Sequence, residues 1–315
     1  MREGTTMRRY KQALTLGILC LLFPAVALEQ PGDTVTLRLV DTAGVYVKSI
    51  RGSSSSLPMD AARNTAAAPV AAMLRSRGTT QGVEIEISKG IPVGGGIGSS
   101  AASAVAAAVA CNALLEMNLT KEELLPFAVE GEKIASDAVH VDNLSPSLWG
   151  GFILVRGYGP IDIVPIKAPD DLWCTVVHPH IEIETKASRK ILPKSVPLAD
   201  VVTQTGNAAG LIAGLLKEDY ALIGRSLHDV VAEPARLHLI PGFAKMKTAA
   251  IDAGALGCSI SGSGPSVFAL SKSKQTAERV GASMGNVLED LGQPHTVYVS
   301  DICTDGARVI PCRKS

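Results

Sequence analysis

One short segment restricts what this chain can fold into more than any other. It consists of Pro92, Val93, Gly94, Gly95, Gly96, Ile97, Gly98, Ser99, Ser100, Ala101 and Ala102. Its glycines permit positive φ angles and let a ligand approach the backbone closely. An alternating strand pattern precedes the segment and an alanine-rich helix pattern follows it, so the segment ends at a helix N-terminus that favours anions. We therefore predict that residues 92–102 bind the phosphates of a nucleotide.

Two common nucleotide-binding motifs do not account for this segment. A P-loop requires lysine after its last glycine, but Ser99 follows Gly98. A dinucleotide fingerprint could begin at Gly94 and Gly96, but Ser99 occupies the position of its third glycine and no suitably spaced acidic residue follows. A glycine-rich turn without a ligand is the structural alternative.

Composition favours a small-molecule partner. The 315 residues carry a formal net charge of zero and contain no run of lysine and arginine, which argues against a nucleic-acid partner. Apolar residues make up 46%, enough for a sizeable core. The six cysteines include no C-x-x-C pair, so they are typical of free thiols in a reducing compartment rather than of a zinc site.

The periodicity of the apolar residues predicts a mixture of strands and helices without strict alternation. Strands are predicted at 34–40, 81–88, 150–156, 172–178, 258–260, 267–270 and 296–300. Helices are predicted at 61–75, 99–115, 120–135, 200–216, 220–231, 244–253 and 275–291. Prolines and aspartates interrupt the pattern at 166–171. We therefore predict an α+β fold of two domains.

The glycine segment closely resembles the nucleotide loop of the galactokinase, homoserine kinase, mevalonate kinase and phosphomevalonate kinase (GHMP) superfamily. The shared pattern is Pro-x-Gly-x-Gly-Ile-Gly-Ser-Ser-Ala, with Gly95 where serine is usual and Ile97 where leucine is usual. Within the superfamily, four further stretches look like homoserine kinases, at 131–136, 140–151, 233–236 and 256–266. The likeness extends from about residue 28 to residue 309.

The resemblance implies a GHMP-kinase-like fold with an S5-like N-terminal domain at 28–168 and a ferredoxin-like C-terminal domain at 169–315, after an atypical segment at 1–27. It implies ATP as co-substrate, Mg²⁺ as cofactor, and phosphorylation of L-homoserine in threonine biosynthesis. It also implies a cytoplasmic homodimer with no nucleic-acid or membrane partner. Two alternatives remain open: a kinase for another alcohol such as mevalonate, and a catalytically impaired nucleotide-binding relic.

By the same resemblance, the hydroxyl of Ser100 and the carboxylate of Glu132 bind Mg²⁺, and Asn64 lies near the nucleotide. Taken alone, Asn64 would be interpreted as a helix cap. The residues on the substrate side are His140, Asp142, Asn143, Thr185, Arg189, Arg236 and Gly262.

Homoserine has a carboxylate, which arginine binds in a bidentate manner, and an ammonium group, which an aspartate can pair with. Arg189 and Arg236 are therefore expected at the carboxylate. His140 and Asn143 are expected to orient the substrate, with Asn143 counted among the catalytic residues. General-base help from Asp142 is the rival interpretation.

The N-terminal segment departs from the family. A loop of the type Asn-x-Gly-x-Gly-Phe-Asp is expected there, but residues 14–23 are almost entirely apolar. Basic residues precede an uncharged run at 13–27, and Ala25-Val26-Ala27 is similar to a secretory cleavage site, although the run is short for a membrane span. Three interpretations remain: a mis-assigned or frameshifted start, a degenerate first strand that gives an impaired enzyme, or a true signal on a chain that has lost its substrate motif. An exported binding protein is a further hypothesis that rests on this segment alone. Cytoplasmic location is expected, since an exported kinase would meet little ATP.

Overall fold

The computed structural model describes residues 8–11, 14–16, 25–53, 55–135, 140–183 and 185–310. The strands within these residues are β1 (Arg8–Lys11), β2 (Leu14–Leu16), β3 (Ala25–Leu28), β4 (Thr34–Val40), β5 (Val45–Arg51), β6 (Gly82–Ser88), β7 (Phe152–Tyr158), β8 (Ile161–Ile166), β9 (Trp173–Pro179), β10 (Gly257–Ile260), β11 (Val267–Ser271), β12 (His295–Asp301) and β13 (Arg308–Ile310). The helices are α1 (Ala67–Ser76), α2 (Ser99–Leu114), α3 (Lys121–Ala135), α4 (Val141–Trp149), α5 (Thr185–Lys190), α6 (Leu198–Lys217), α7 (Tyr220–Ser226), α8 (Ala232–Arg236), α9 (Phe243–Asp252) and α10 (Lys274–Asp290).

The N-terminal domain contains two sheets, one in the order β13-β1-β4-β6-β5 and one in the order β2-β3-β7-β8. In the first sheet the predicted alternation places Val35 and Leu37 of β4 opposite Ile87 and Ile85 of β6, and all four side chains are buried. Helix α2 packs against β4 and is surrounded by α1, α3 and α4. Its many buried alanines allow this close approach on several sides.

The C-terminal domain has one antiparallel sheet in the order β12-β9-β11-β10. The chain order β9-α9-β10-β11-α10-β12, with α9 and α10 on the same face, is that of a ferredoxin-like fold. Helices α9 and α10 cover one face through Met246 and Met284, while α6 and α7 cover the other through Leu211 and Ile223. The predicted α+β fold with these two domain types is confirmed.

The predicted domain boundary at 168/169 falls between β8 and β9. The last described strand nevertheless returns to the N-terminal domain, because β13 pairs antiparallel with β1. An isolated bridge between Leu28 and Ile302 adds a second connection. The C-terminal end of the chain therefore contributes to the first sheet.

The apolar N-terminal run contains strands in its described part. Strand β2 pairs with β3, β3 pairs with β7, and the four residues of β3 are fully buried. These pairings are what the interpretation as a first strand requires. Residues 17–24, which include Cys20, lie outside the described residues, as does Cys312. The four described cysteines are buried free thiols.

Two predicted helices are each divided. The predicted helix 61–75 is a 3₁₀ turn followed by α1, because the side chain of Asn64 accepts hydrogen bonds from Ala66 N and Ala67 N and starts a new helix. The predicted helix 220–231 ends at Ser226, and Asp229 caps α8 in the same way. Strands β5 and β8 and helices α4 and α5 were not predicted.

Candidate active site

The backbone of the glycine loop forms a concave set of amides. Gly94, Gly96 and Gly98 have φ angles of 72°, 71° and 73°, and they alternate with residues whose φ is negative. Such alternation turns successive N–H groups toward one side. The amides of residues 94–101 donate no hydrogen bond to any residue that the structure describes. The loop therefore presents a row of available donors at the N-terminus of α2, as an anion site requires.

A second glycine loop, 261–266, holds the first loop from behind. Ser261 Oγ donates to Gly96 O at 3.0 Å, and Ser266 Oγ donates to Gly95 O at 2.7 Å. Within a peptide unit the C=O and the following N–H point in opposite directions. Fixing these two carbonyls therefore turns the amides of Gly96 and Ile97 away from the second loop.

His178 supports this contact. Its Nδ1 lies 3.0 Å from Ser266 Oγ. Because the hydroxyl hydrogen of Ser266 is already donated to Gly95 O, the oxygen accepts and Nδ1 carries the hydrogen. Burial, together with His180, lowers the pKa of His178 to about 4, so the ring is neutral near pH 7.

A buried polar network fixes the two ends of the glycine loop. Lys89 forms an ion pair with Asp33 and donates to Ser99 O at 2.9 Å and to Ser103 Oγ at 2.8 Å. Asp33 also accepts the amides of residues 90–91 and the hydroxyl of Ser103. The network joins the chain entering the loop to the first turn of α2. The sequence did not indicate it, since Asp33 lies far from the loop in the chain.

Ser100, Glu132 and His140 come together as a hydrogen-bonded chain. Ser100 Oγ donates to Glu132 Oε2 at 3.1 Å, and His140 Nδ1 lies 2.6 Å from Glu132 Oε1. Glu132 is only 1% exposed. Within the described ranges, no group of three or more His, Cys, Asp or Glu side chains could hold a metal ion.

The Ser100 and Glu132 oxygens nevertheless suit Mg²⁺. Neighbouring ligands of an octahedral Mg²⁺ lie about 3 Å apart, given Mg–O distances of about 2.1 Å. The observed separation of 3.1 Å is compatible with two adjacent ligand positions. Hydroxyl and carboxylate oxygens are also the donor types that this ion prefers.

The first turn of α4 presents hydrogen-bond acceptors. His140 precedes the helix, and Asp142 and Asn143 follow in its first turn. Asp142 Oδ1 and Asn143 Oδ1 are buried and have no hydrogen-bond partner among the described residues. Burial raises the pKa of Asp142, although His140 and Arg189 oppose this effect. Buried unpaired acceptors are costly and indicate a missing donor.

The two predicted arginines occupy different environments. Arg189 lies in α5, is partly exposed, and acts electrostatically on Asp142. Arg236 is 1% exposed and donates to Ser188 O at 3.3 Å and to Gly262 O at 3.1 Å. Arg236 thus ties α5 to the second glycine loop. The side chain of Thr185, at the start of α5, lies outside the described residues.

Tyr158 also belongs to this surface, although no sequence pattern indicated it. It ends β7 and is 56% exposed. Burial of its hydroxyl raises the pKa of Tyr158, which Asp142 raises further and Arg189 lowers. Its hydroxyl therefore shares the electrostatic environment of two predicted substrate residues.

Some predicted nucleotide residues have supporting roles in the structure. The side chain of Asn64 caps α1 and donates to Pro58 O at 2.8 Å, so the cap interpretation is confirmed and a nucleotide contact stays a prediction. Ala102 is fully buried, and its amide donates to Gly98 O within the helix. Ile97 is 1% exposed and packs in the core between the domains. We expect Ala102 and the Ile97 side chain to support the loop from behind.

Comparison with known proteins places these features in a family. The sequence matches the family described as GHMP kinases N terminal domain over residues 64–151 and the one described as GHMP kinases C terminal over residues 211–290. A homoserine kinase of Chlorobium phaeobacteroides is 46% identical over 296 residues, which cover 90% of this chain and 92% of that protein. A homoserine kinase of Chlorobaculum tepidum is 48% identical over 296 residues, covering 90% and 91%.

Solved structures give the same result. A crystal structure of homoserine kinase from Cytophaga hutchinsonii has a TM-score of 0.93 and 45% identity, and the match covers 98% of this chain and 99% of that chain. A mevalonate kinase from L. major is only 18% identical with a TM-score of 0.67, and shows a shared fold alone.

Proposed function

Because the chain belongs to the GHMP kinase family, we propose that it is a homoserine kinase, which transfers the γ-phosphate of ATP to the side-chain hydroxyl of L-homoserine. The observation that carries the proposal is the Ser100–Glu132–His140 chain. It connects the available amides of the glycine loop with the acceptor groups of α4. Donors for a triphosphate therefore lie at one end of this hydrogen-bonded chain, and acceptors for an ammonium group lie at the other.

The charges of the substrate side favour an amino acid over an uncharged alcohol. The unpartnered oxygens of Asp142 and Asn143 suit the ammonium group of homoserine. The guanidinium of Arg189 suits its carboxylate. Mevalonate has a carboxylate but no ammonium group, so it would leave the buried Asp142 acceptor unpaired. Mevalonate is therefore the weaker candidate.

Phosphoryl transfer requires positioning and charge neutralisation more than covalent participation of the protein. The amides of residues 94–101 bind the phosphates of ATP, and the end of α2 adds partial positive charge. Ser100 and Glu132 are the residues that would hold Mg²⁺, which would supply charge neutralisation on the transferred phosphate. His140 is oriented by Glu132, and Asn143 orients the acceptor hydroxyl. Burial raises the pKa of Asp142 and so makes this carboxylate a stronger proton acceptor. General-base help from Asp142 is therefore the rival route.

Three further proposals accompany this function: dependence on Mg²⁺, which the Ser100 and Glu132 oxygens suit, a homodimer, which the family resemblance implies, and a cytoplasmic location, where ATP is supplied. Among the described helices, none combines the length and the apolar character needed to cross a membrane.

Measuring ADP release tests the function. The purified chain is incubated with ATP and L-homoserine, mevalonate or no acceptor, each with and without Mg²⁺. We expect ADP release that requires both homoserine and Mg²⁺. Release of ADP that depends on mevalonate would identify mevalonate, and not homoserine, as the substrate. ATP binding without ADP release for any acceptor would indicate a nucleotide-binding relic.

A further inference from the structure

Helix α6 carries an unusually exposed apolar surface. Leu198, Leu216 and Val202 are 77%, 67% and 65% exposed, which makes them the three most exposed large apolar side chains in the described part of the chain. All three lie on one helix. An adjacent side of the same helix buries Gln204, Leu211 and Leu215. A cluster of this kind on one surface is typical of an interaction site.

The exposed residues follow one regular line along the helix, which we call the α6 stripe. The stripe consists of Leu198, Val202, Thr205, Ala209, Ile212 and Leu216; all are exposed except Ile212, which is partly buried and also packs against the core. Its spacings alternate between four and three residues, which is the spacing of a coiled-coil contact line. No charged residue occurs between Asp200 and Lys217. The stripe therefore suits another apolar helix rather than a charged ligand.

The order of side-chain sizes identifies the partner. If two α6 helices pack antiparallel about a two-fold axis near Asn207, Leu198 of each helix lies opposite Leu216 of the other. Val202 then lies opposite Ile212, and Thr205 opposite Ala209. Large residues meet at both ends and small residues at the crossing point. A two-fold interface requires such self-complementarity. We propose that a second copy of this chain docks on the α6 stripe.

The glycines of α6 support this assignment. A Cβ atom on Gly210 would lie 2.5 Å from Ser226 Oγ, and one on Gly214 would lie 2.9 Å from Ile223, so packing within the chain explains both. A Cβ atom on Gly206 would meet nothing within 4 Å. Glycine in a helix interior weakens the helix. Gly206 has no counterbalancing contact within its own chain, and it leaves space beside the crossing point for a second backbone.

The apolar surface extends along the whole helix and beyond it. A helix of 20 residues is about 30 Å long. Helix α6 also packs beside β8, an edge strand whose Ile161 and Val164 are exposed, so the apolar surface extends beyond the helix. The inference specifies the surface of the homodimer proposed above and does not depend on the substrate.

Sedimentation velocity of the full chain over a range of concentrations tests the surface. We expect the wild type to dimerise and Val202→Glu to raise the dissociation constant at least about 100-fold, because each dimer would bury two carboxylates. The matched control is Ile251→Glu, at a 47% exposed position on α9, which should leave the dimer unchanged. A monomeric wild type, or a dimer equally stable in both variants, would overturn the proposal; in the second case the homodimer itself would stand.

Charge pairing tests the antiparallel register. Leu198→Lys and Leu216→Glu should each weaken the dimer, and the double variant should recover part of the loss through ion pairs between the two chains. Positions 198 and 216 are too far apart for pairing within one helix, since they are separated by about 27 Å. A parallel pair would instead bring like charges together. A double variant weaker than either single variant would overturn the proposed arrangement, and this test does not require Val202→Glu to fold.

Discussion

Nδ1 of His140 lies 2.6 Å from Oε1 of Glu132, and both side chains are buried. A carboxylate oxygen accepts the hydrogen bond, so Nδ1 of His140 is the donor. The other oxygen of Glu132 accepts the hydroxyl of Ser100. Glu132 therefore positions both the Ser100 hydroxyl, on the phosphate side, and the His140 ring, on the substrate side.

Replacing Glu132 with glutamine should affect the response to Mg²⁺. The amide keeps the shape of the side chain but removes its negative charge and one acceptor, so we expect kcat to fall about 100-fold or more. The concentration of Mg²⁺ for half-maximal rate should rise about tenfold. Initial rates measured across a Mg²⁺ titration check this.

Glu130→Gln provides a matched control for Glu132→Gln. Glu130 belongs to the same helix but pairs with Lys133 near the surface. We expect this variant to retain the Mg²⁺ response of the wild type. An unchanged response in Glu132→Gln as well would contradict the assignment of Glu132 as a ligand.

Replacing Asp142 with asparagine should weaken recognition of the substrate ammonium group. We expect the KM for homoserine to rise at least about tenfold, because a charge-assisted contact becomes a neutral one, while the KM for ATP stays unchanged. The control Asp162→Asn removes an exposed carboxylate that pairs with Arg156, and should alter neither constant. A substrate analogue without the amino group should show no difference between wild type and Asp142→Asn. A parallel rise in the KM for ATP would contradict the assignment of Asp142 to the ammonium group of homoserine.

Local patterns in the sequence predicted those parts of the molecule that depend on local physics. The strand β6, the glycine loop and α2 follow from alternation, from positive φ at glycine and from alanine content. Helix α4 was not predicted; it contains Pro146, which lacks a backbone donor for the helix interior, and it buries six of its nine residues in the folded chain.

Contacts between distant segments explain the rest of what the sequence did not indicate. Lys89 and Asp33 are 56 positions apart, and Ser266 and Gly95 are 171 apart. Arg236 likewise contacts helix α5 and the second glycine loop, which meet only in the folded chain. Family resemblance indicated Arg236 and the second glycine loop, but not which groups they contact, and it did not indicate Lys89 or Asp33.

A pair of glycine substitutions separates backbone strain from steric conflict. Gly96 and Gly78 have similar φ angles of 71° and 65°. A Cβ atom on Gly96 would lie 2.4 Å from Gly264 O, whereas one on Gly78 would meet nothing within 4 Å. Gly78→Ala should therefore cost only the strain of a left-handed residue, about 1 kcal/mol.

Gly96→Ala should cost more, because it also forces the two glycine loops apart. We expect it to lower the free energy of unfolding by at least about 2 kcal/mol more than Gly78→Ala, and to weaken ATP binding at least about tenfold. Chemical denaturation and a nucleotide titration measure the two effects. Equal ATP affinity in the two variants would show that the contact between the loops does not position the amides.

The neutral ring of His178 should make the folded protein sensitive to acid. Its pKa is lowered to about 4 in the folded chain, from an ordinary value of 6.5. Between these values the unfolded chain binds a proton that the folded chain does not, so the free energy of unfolding falls as pH decreases from 6.5 to 4. The loss attributable to this residue is roughly 3 kcal/mol and does not occur above pH 7. In His178→Asn the amide can still donate to Ser266 but does not titrate, so the variant should lose less stability over this range.

Urea unfolding at several pH values, with His238→Asn as a control at an exposed histidine, measures the difference. Parallel pH profiles for wild type and His178→Asn would contradict the assignment of this acid sensitivity to His178.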